Sequence, residues 1–260
     1  MNDPLSPIAS FVGPGAAGNK HFVLWDCVDQ AECIALSQEL APTILVYIDR
    51  CSFTDDPSCY RAAFYSAGRM VKRCGSGSLA AAFYLSREFP HIQNFYLATV
   101  AGRVRLGRRY SMYAFELPSL SYSPVLSLRP WQGVINQPLY EVVAVGGKSD
   151  YVILSLASEK NVRETVINAR RLSRLSGRSV IVTAPSATAR WDYVLRYFAP
   201  QYGPYEDAAT GSANAMVATY WQTRCRRRRV LGRQLSKAGG EFVVERAGLM
   251  QRVMGKVKAL

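Results

Sequence analysis

Residues 195–217 read LRYFAPQYGPYEDAATGSANAMV, and residues 61–82 read RAAFYSAGRMVKRCGSGSLAAA. An offset of 134 carries Phe64 onto Phe198, Gly75 onto Ala209, Gly77 onto Gly211 and Ser78 onto Ser212. It also carries Ala35 onto Ala169 and Val46 onto Val180, each pair bracketing a helical stretch that runs into a strand. A repeat of half the chain predicts two similar lobes with a cleft between them. The Gly-x-Gly-Ser and Ala-Thr-Gly-Ser segments would face each other across that cleft.

The chain of 260 residues suits one large domain or two of roughly 100–150 residues each. With 49% hydrophobic and 11% aromatic residues it can bury a core, which excludes a disordered chain. No run of about 18 apolar residues suggests a membrane span, and MNDPLSPIASF lacks the pattern of a signal peptide. The six cysteines (Cys27, Cys33, Cys51, Cys59, Cys74 and Cys225) include no CxxC pair. Reduced thiols, a cytoplasmic location and no metal site are therefore expected. The net charge of +13 is concentrated in Arg103, Arg105, Arg108 and Arg109 and in Arg224 with Arg226–Arg229. The second cluster follows a helix, where cations complement the carbonyl end of the dipole. Neither cluster shows the interleaved aromatics of a nucleic-acid groove, so nucleic acid ranks last among the partners.

Along the first half, 6–12 and 21–25 read as strands, 29–40 as a helix, TILVYI as a strand and 76–88 as an Ala-rich apolar helix. Strands and turns follow from Phe95 to about Pro130. The second half repeats the order, with strands near 140–156, a helix over 160–175, the strand VIVTA, and a helix over 211–223. A last strand is expected near 251–258. The lobes divide as 1–115 and 116–260, with the last strand able to return to the first lobe.

Each lobe places small residues just before an apolar helix. The first backbone N–H groups are then unobstructed, and the helix dipole adds positive charge. Gly75, Gly77 and Ser78 in one lobe, and Thr210, Gly211 and Ser212 in the other, are thus candidates to bind a carboxylate or phosphate. Ordinary capping by Gly and Ser is the simpler alternative for either turn alone.

At these residues the chain resembles the phenazine-biosynthesis PhzF-like family, which shares its fold with diaminopimelate epimerase and proline racemase. EDAATGSANAMVATYW (206–221) is similar to the family's Glu-Asp-Pro-Ala-Thr-Gly-Ser-Ala, and RCGSGSLAAA (73–82) to Cys-Gly-His-Ala-Thr-Leu-Ala. AGNKHFVLWD (17–26) resembles Gly-Asn-Pro-x-Ala-Val-Val, and RQLSKAGGEFVVE resembles Gln-x-Ser-x-x-Gly-Gly. The resemblance implies an α+β fold of two similar lobes, each a rolled β-sheet around a central helix.

Two departures bear on chemistry. The family's acid/base glutamate lies in Leu-Ser-Glu-Thr, where this chain has LAPT (40–43), so Pro42 takes its place. Glu39 is three residues earlier, and the family histidine is replaced by Ser76. His21 and His91 match no family position and read as structural or surface groups. Cys74, Ser76 and Asp207 remain as candidate catalytic groups, and Asn19 is the implied substrate-orienting amide. Epimerases of this fold use two facing cysteines, but the offset pairs Cys74 with Ala208. The resemblance thus implies a cofactor-free isomerase acting through one base on a small carboxylate-bearing metabolite, with a homodimer expected. A repurposed small-molecule binding protein is the alternative.

Overall fold

The computed structural model describes residues 5–26, 29–52, 54–124, 127–201 and 205–260. Cys27 and positions 202–204 of the repeat lie outside the described residues. The elements of the first half are β1 (Leu5–Val12), β2 (Asn19–Trp25), α1 (Gln30–Glu39), β3 (Ile44–Arg50), β4 (Cys59–Ser66) and β5 (Arg69–Val71). α2 (Gly75–Glu88), β6 (Asn94–Thr99), β7 (Gly102–Arg109) and β8 (Met112–Pro118) complete it. The second half has β9 (Tyr122–Pro124), α3 (Arg129–Gln132), β10 (Glu141–Val145), β11 (Tyr151–Ser155), α4 (Glu159–Arg163) and α5 (Ala169–Leu175). It continues with β12 (Ser179–Pro185), β13 (Tyr193–Phe198), α6 (Gly211–Cys225), β14 (Arg229–Gln234), β15 (Gly240–Ala247) and β16 (Met250–Ala259). No helix among the described residues is long and apolar enough to cross a membrane.

Two compact units form, one from Met1–Leu117 with Arg252–Leu260 and one from Pro118–Gln251. In the first, the strands run β1-β2-β3-β4-β6-β7-β8-β16, and β16 pairs with β1 to close a barrel. The strand β3 is buried on both faces. Leu45 and Tyr47 pack with Cys33 of α1, while the alternate positions Val46 and Ile48 turn to the opposite face. That other face is filled by α2, whose Ser76–Ala82 are all buried. A helix enclosed this way needs small residues. A Cβ on Gly77 would stand 2.8 Å from the Phe64 ring, and one on Gly255 of β16 would stand 2.5 Å from Phe11 and 3.1 Å from Leu79.

The second unit repeats the pattern. β10–β11 and β12–β13 are antiparallel and β11–β12 and β13–β14 parallel, as are β1–β2, β3–β4, β2–β3 and β4–β6 respectively. The offset of 134 survives in the register: Val46 faces Phe64, and Val180 faces Phe198. The strand β12 is buried from Ser179 to Ala184. Val180, Val182 and Ala184 join Val162 and Leu172 on one face, and on the other Thr183 accepts the Trp221 Nε1–H of α6 at 2.9 Å. Tyr193 stacks on Trp221 and donates to Asn214 at 2.9 Å. The expected helix over 160–175 is corrected to the two short helices α4 and α5. Between them Ile167 bridges to Ile135, and Asn168 caps α5 by accepting from Arg171 N–H. β-Branched Thr165, Val166 and Ile167 disfavour a continuous helix at that point. The strands β4 and β13 were not anticipated, because Arg61 and Arg196 interrupt their apolar patterns.

His21 is fully buried on β2, and among the described residues neither ring nitrogen makes a well-formed hydrogen bond. Burial lowers its pKa to about 4, with the backbone of Ile8 and Asn19 opposing the shift. The unfolded chain therefore takes up this proton more readily, and folding stability falls as pH drops from about 6.5 towards 4. His21→Leu should remove about 3 kcal/mol of that pH-dependent loss, measured as the difference between wild-type and variant denaturation curves at pH 7 and pH 4. A Cβ at Gly232 would stand 2.3 Å from the Tyr193 ring. Gly232→Ala should consequently cost about 1–3 kcal/mol, read from the same denaturation curves at pH 7.

Candidate functional site

In the first unit, Cys74 is the N-cap of α2, and its Sγ accepts the Gly77 N–H at 3.2 Å. The cysteine is a half-buried thiol. Ser76 lies beneath it, with its Oγ 3.5 Å from the Cys74 sulfur and accepting from Asn19 Nδ2 at 3.3 Å. Asn19 thus joins the site from the start of β2. Ser10, which no sequence signal singled out, donates to the Ser76 carbonyl at 3.0 Å. It is placed by a bulge in β1, where Phe11 has φ 65°. Ser78 turns back to donate to the Cys74 carbonyl at 2.9 Å. The amides of Gly75 and Ser76 meet no acceptor among the described residues.

The second unit builds its helix start differently. Thr210 is the N-cap of α6, yet its side chain caps nothing. Its hydroxyl instead donates to Asp207 Oδ2 at 2.6 Å. Gln234 of β14 clasps the same turn: its Oε1 accepts the Thr210 N–H at 2.8 Å, and its Nε2 donates to the Asp207 carbonyl at 2.7 Å. Ser236 donates to the Ala208 carbonyl and accepts the Gly239 N–H at 3.1 Å. The carbonyl of Thr210 accepts from Asn214 Nδ2 at 2.9 Å, tying the turn to Tyr193. The amides of Gly211, Ser212 and Ala213 meet no acceptor among the described residues. Three adjacent N–H groups at a helix start are an arrangement able to bind an anion.

The remaining candidates lie elsewhere. Glu39 and Pro42 are exposed, at and just beyond the end of α1. Among the described residues no group of three or more His, Cys, Asp or Glu is placed to hold a metal ion. Arg224 pairs with Glu141, and Arg227 pairs with Asp192 at 3.0 Å. Along β7 the sheet supplies aromatics that the linear sequence separates from the arginines: Arg103 lies 3.9 Å over Tyr96, and Arg108 lies 5.8 Å over Tyr113. The residues that sequence reasoning left out of the site were Ser10, Gln234 and Ser236. The last two sit in the Gln-x-Ser segment, whose signal was visible although its partner was not.

A barrel around a helix in the first unit, with the same strand order around α6 in the second, is the epimerase-like α+β class. Over 98% of this chain and 90% of the other, the fold matches a probable proline racemase from Agrobacterium radiobacter at a TM-score of 0.61 and 13% identity. It matches a PhzF-family phenazine biosynthesis protein from Enterococcus faecalis at a TM-score of 0.86 and 21% identity, over 100% and 97% of the two chains. An isomerase of uncharacterized activity from Vibrio cholerae is 29% identical over 241 residues, 91% of this chain and 81% of that protein. The phenazine biosynthesis-like family model matches residues 17–258, and the chain belongs to that family.

Gln234→Leu should leave the buried Thr210 N–H without an acceptor, costing about 1–3 kcal/mol. Denaturant unfolding measures that loss, and amide hydrogen exchange should show faster exchange at Thr210 than in wild type.

Proposed function

We propose that the protein is a cofactor-independent isomerase that moves a proton on a small carboxylate-bearing metabolite. The observation that carries this reading is the uncapped start of α6, where Thr210 turns its hydroxyl to Asp207 and leaves three consecutive amides open. Such amides bind a carboxylate and stabilise the negative charge that develops as the adjacent C–H loses its proton. Membership of a family whose relatives include proteins named as isomerases supports the reaction class.

Either Cys74 or Asp207 would act as the single base that removes and returns the proton. The Thr210 hydroxyl orients Asp207, and Ser76 with Asn19 orients Cys74. One base working on one face requires no second thiol, in keeping with Ala208 at the offset position of Cys74. Gly75, Gly77 and Ser78 shape the α2 start, while Gly211 and Ser212 supply part of the α6 surface. A cytoplasmic homodimer belongs to the same proposal. A second reading, a binding protein that has lost proton transfer, rests on the resemblance, which aligns Pro42, an exposed residue, with the family's acid/base glutamate.

The test is solvent deuterium exchange into a panel of amino acids and dihydroaromatic acids, each first shown to bind by calorimetry. Incorporation in wild type that falls at least about 100-fold in Cys74→Ala or Asp207→Asn, the size of a general-base contribution, supports the isomerase. Binding without exchange for every ligand that binds sinks it and leaves the second reading. Affinity for nucleic acid that falls steeply with salt, and vanishes on charge reversal of Arg226–Arg229, would point to the third class of partner instead.

A further inference from the structure

Cys51 follows β3 and Cys59 opens β4, and both are buried. The two strands are antiparallel with Arg50 facing Tyr60, so the register brings Cys51 opposite Cys59. Their sulfurs are 3.4 Å apart. Facing Cα atoms in an antiparallel pair are about 4.5–5.5 Å apart, within the range of about 4.4–6.8 Å that a disulfide spans. The two sulfurs therefore need only a small side-chain movement to reach bonding distance. The two are buried to a similar degree but face different surroundings. Cys59 lines a cavity of about 330 Å³ together with Asp56, Gly102 and Arg103. Cys51 is absent from that lining and lies near the Asp49–Arg61 ion pair.

We propose that Cys51 and Cys59 form an oxidisable dithiol, with Cys59 meeting a hydroperoxide in the cavity and Cys51 resolving it to a disulfide. The Cys59 thiolate attacks one peroxide oxygen, the O–O bond breaks, and the leaving oxygen takes a proton and departs as water from hydrogen peroxide, or as the alcohol from an organic hydroperoxide, which leaves a sulfenic acid. The Cys51 sulfur then attacks the Cys59 sulfur, the S–O bond breaks, and a second water leaves carrying the Cys51 proton. The two thiols lose two electrons in total, and the peroxide takes them up. The order of attack follows from which cysteine lines the cavity and agrees with the thiol chemistry. Burial, followed by Cys59 and the Asp49 carboxylate, pushes the Cys51 thiol up to about 11, while the Arg61 guanidinium opposes the shift. Cys51 is thus a poor first nucleophile, because the thiolate is the attacking species. Its place against Cys59 suits it to the second step, which the adjacent sulfenic acid drives. The product would close the 51–59 loop and lock β3 to β4, cross-linking the unfolded chain as well as the folded one.

The sequence provides a direct readout, since trypsin cutting after Arg50 and Arg61 places both cysteines in the single peptide CSFTDDPSCYR. The folded full-length chain is treated with a small excess of hydrogen peroxide beside a short exposed-thiol peptide, then denatured, alkylated and digested. The expected result is an unalkylated peptide lighter by two hydrogens, restored to two alkylated cysteines by prior treatment with a dithiol reductant. In Cys51→Ser, Cys59 should accumulate as a sulfenic acid trapped by a 1,3-dicarbonyl probe; in Cys59→Ser, Cys51 should remain alkylatable. Two alkyl groups on the wild-type peptide after the exposed-thiol peptide has been consumed overturn the proposal. Equal trapping of Cys51 in Cys59→Ser overturns the assigned order of attack.

Discussion

A helix surrounded by its own sheet has no solvent face, and the rest of each unit follows from that. Along α2 every residue from Ser76 to Ala82 is buried, and along α6 the residues Ala213–Ala218 are buried. Such a helix can be neither amphipathic nor bulky. It takes Ala and Gly where the wall is near, and the wall takes glycine where the helix is large, as Gly255 does against Leu79. Close packing of this kind tolerates little added volume. The sequence signature is an Ala-rich stretch without a hydrophobic stripe.

Enclosure also dictates how polar groups behave. A buried hydroxyl or amide without a partner is costly, so those inside each unit bond to one another. Asn214 takes the Tyr193 hydroxyl and gives to the Thr210 carbonyl, and Trp221 gives to Thr183. Gln222 and Gln251 exchange amides at 3.0 and 3.1 Å. The bonds of Asn214 hold the start of α6, and those of Trp221 and Gln222 hold its far end. The Asp207 turn is consequently fixed from two directions, by α6 through Asn214 and by β14 through Gln234. Among the described residues His21 is an exception, and it avoids a buried charge by remaining neutral.

Much of this was legible in the sequence because duplication writes the same constraints twice. Phe64 and Phe198 occupy equivalent register positions, and the strands β3 and β12 are continuous apolar runs because both their faces are covered. Elements whose side chains serve two environments were harder to read. In β13, Arg196 interrupts the apolar run because its guanidinium leaves the sheet to pair with Glu206 at 2.7 Å and to donate to the Thr165 carbonyl at 2.8 Å. In β4, Arg61 likewise reaches across to Asp49. The break between α4 and α5 depends on a bridge from Ile167 to a residue more than thirty positions away, which no local pattern encodes. The site was legible where small residues precede a helix. Its supports, Ser10 and Gln234, carry ordinary side chains whose partners are distant in sequence.

The two helix starts show where the copies diverged. The offset places Ser76 on Thr210 and Gly77 on Gly211, so the same hydroxyl and the same glycine recur in both. They stand at different points of their helices. Gly77 is the third residue of α2, and its amide is taken by the Cys74 sulfur; Gly211 is the first residue of α6, and its amide has no acceptor among the described residues. The copies also differ three residues earlier, where one has Cys74 and the other has Ala208, a side chain unable to accept an N–H. With no side chain to cap it, α6 begins later and presents Gly211, Ser212 and Ala213 together, while α2 presents only Gly75 and Ser76. The sulfur in the first copy and the longer row of amides in the second are therefore two consequences of one substitution. The duplicated helix start has become one copy capped by a sulfur and one with the longer row of amides that meet no acceptor among the described residues.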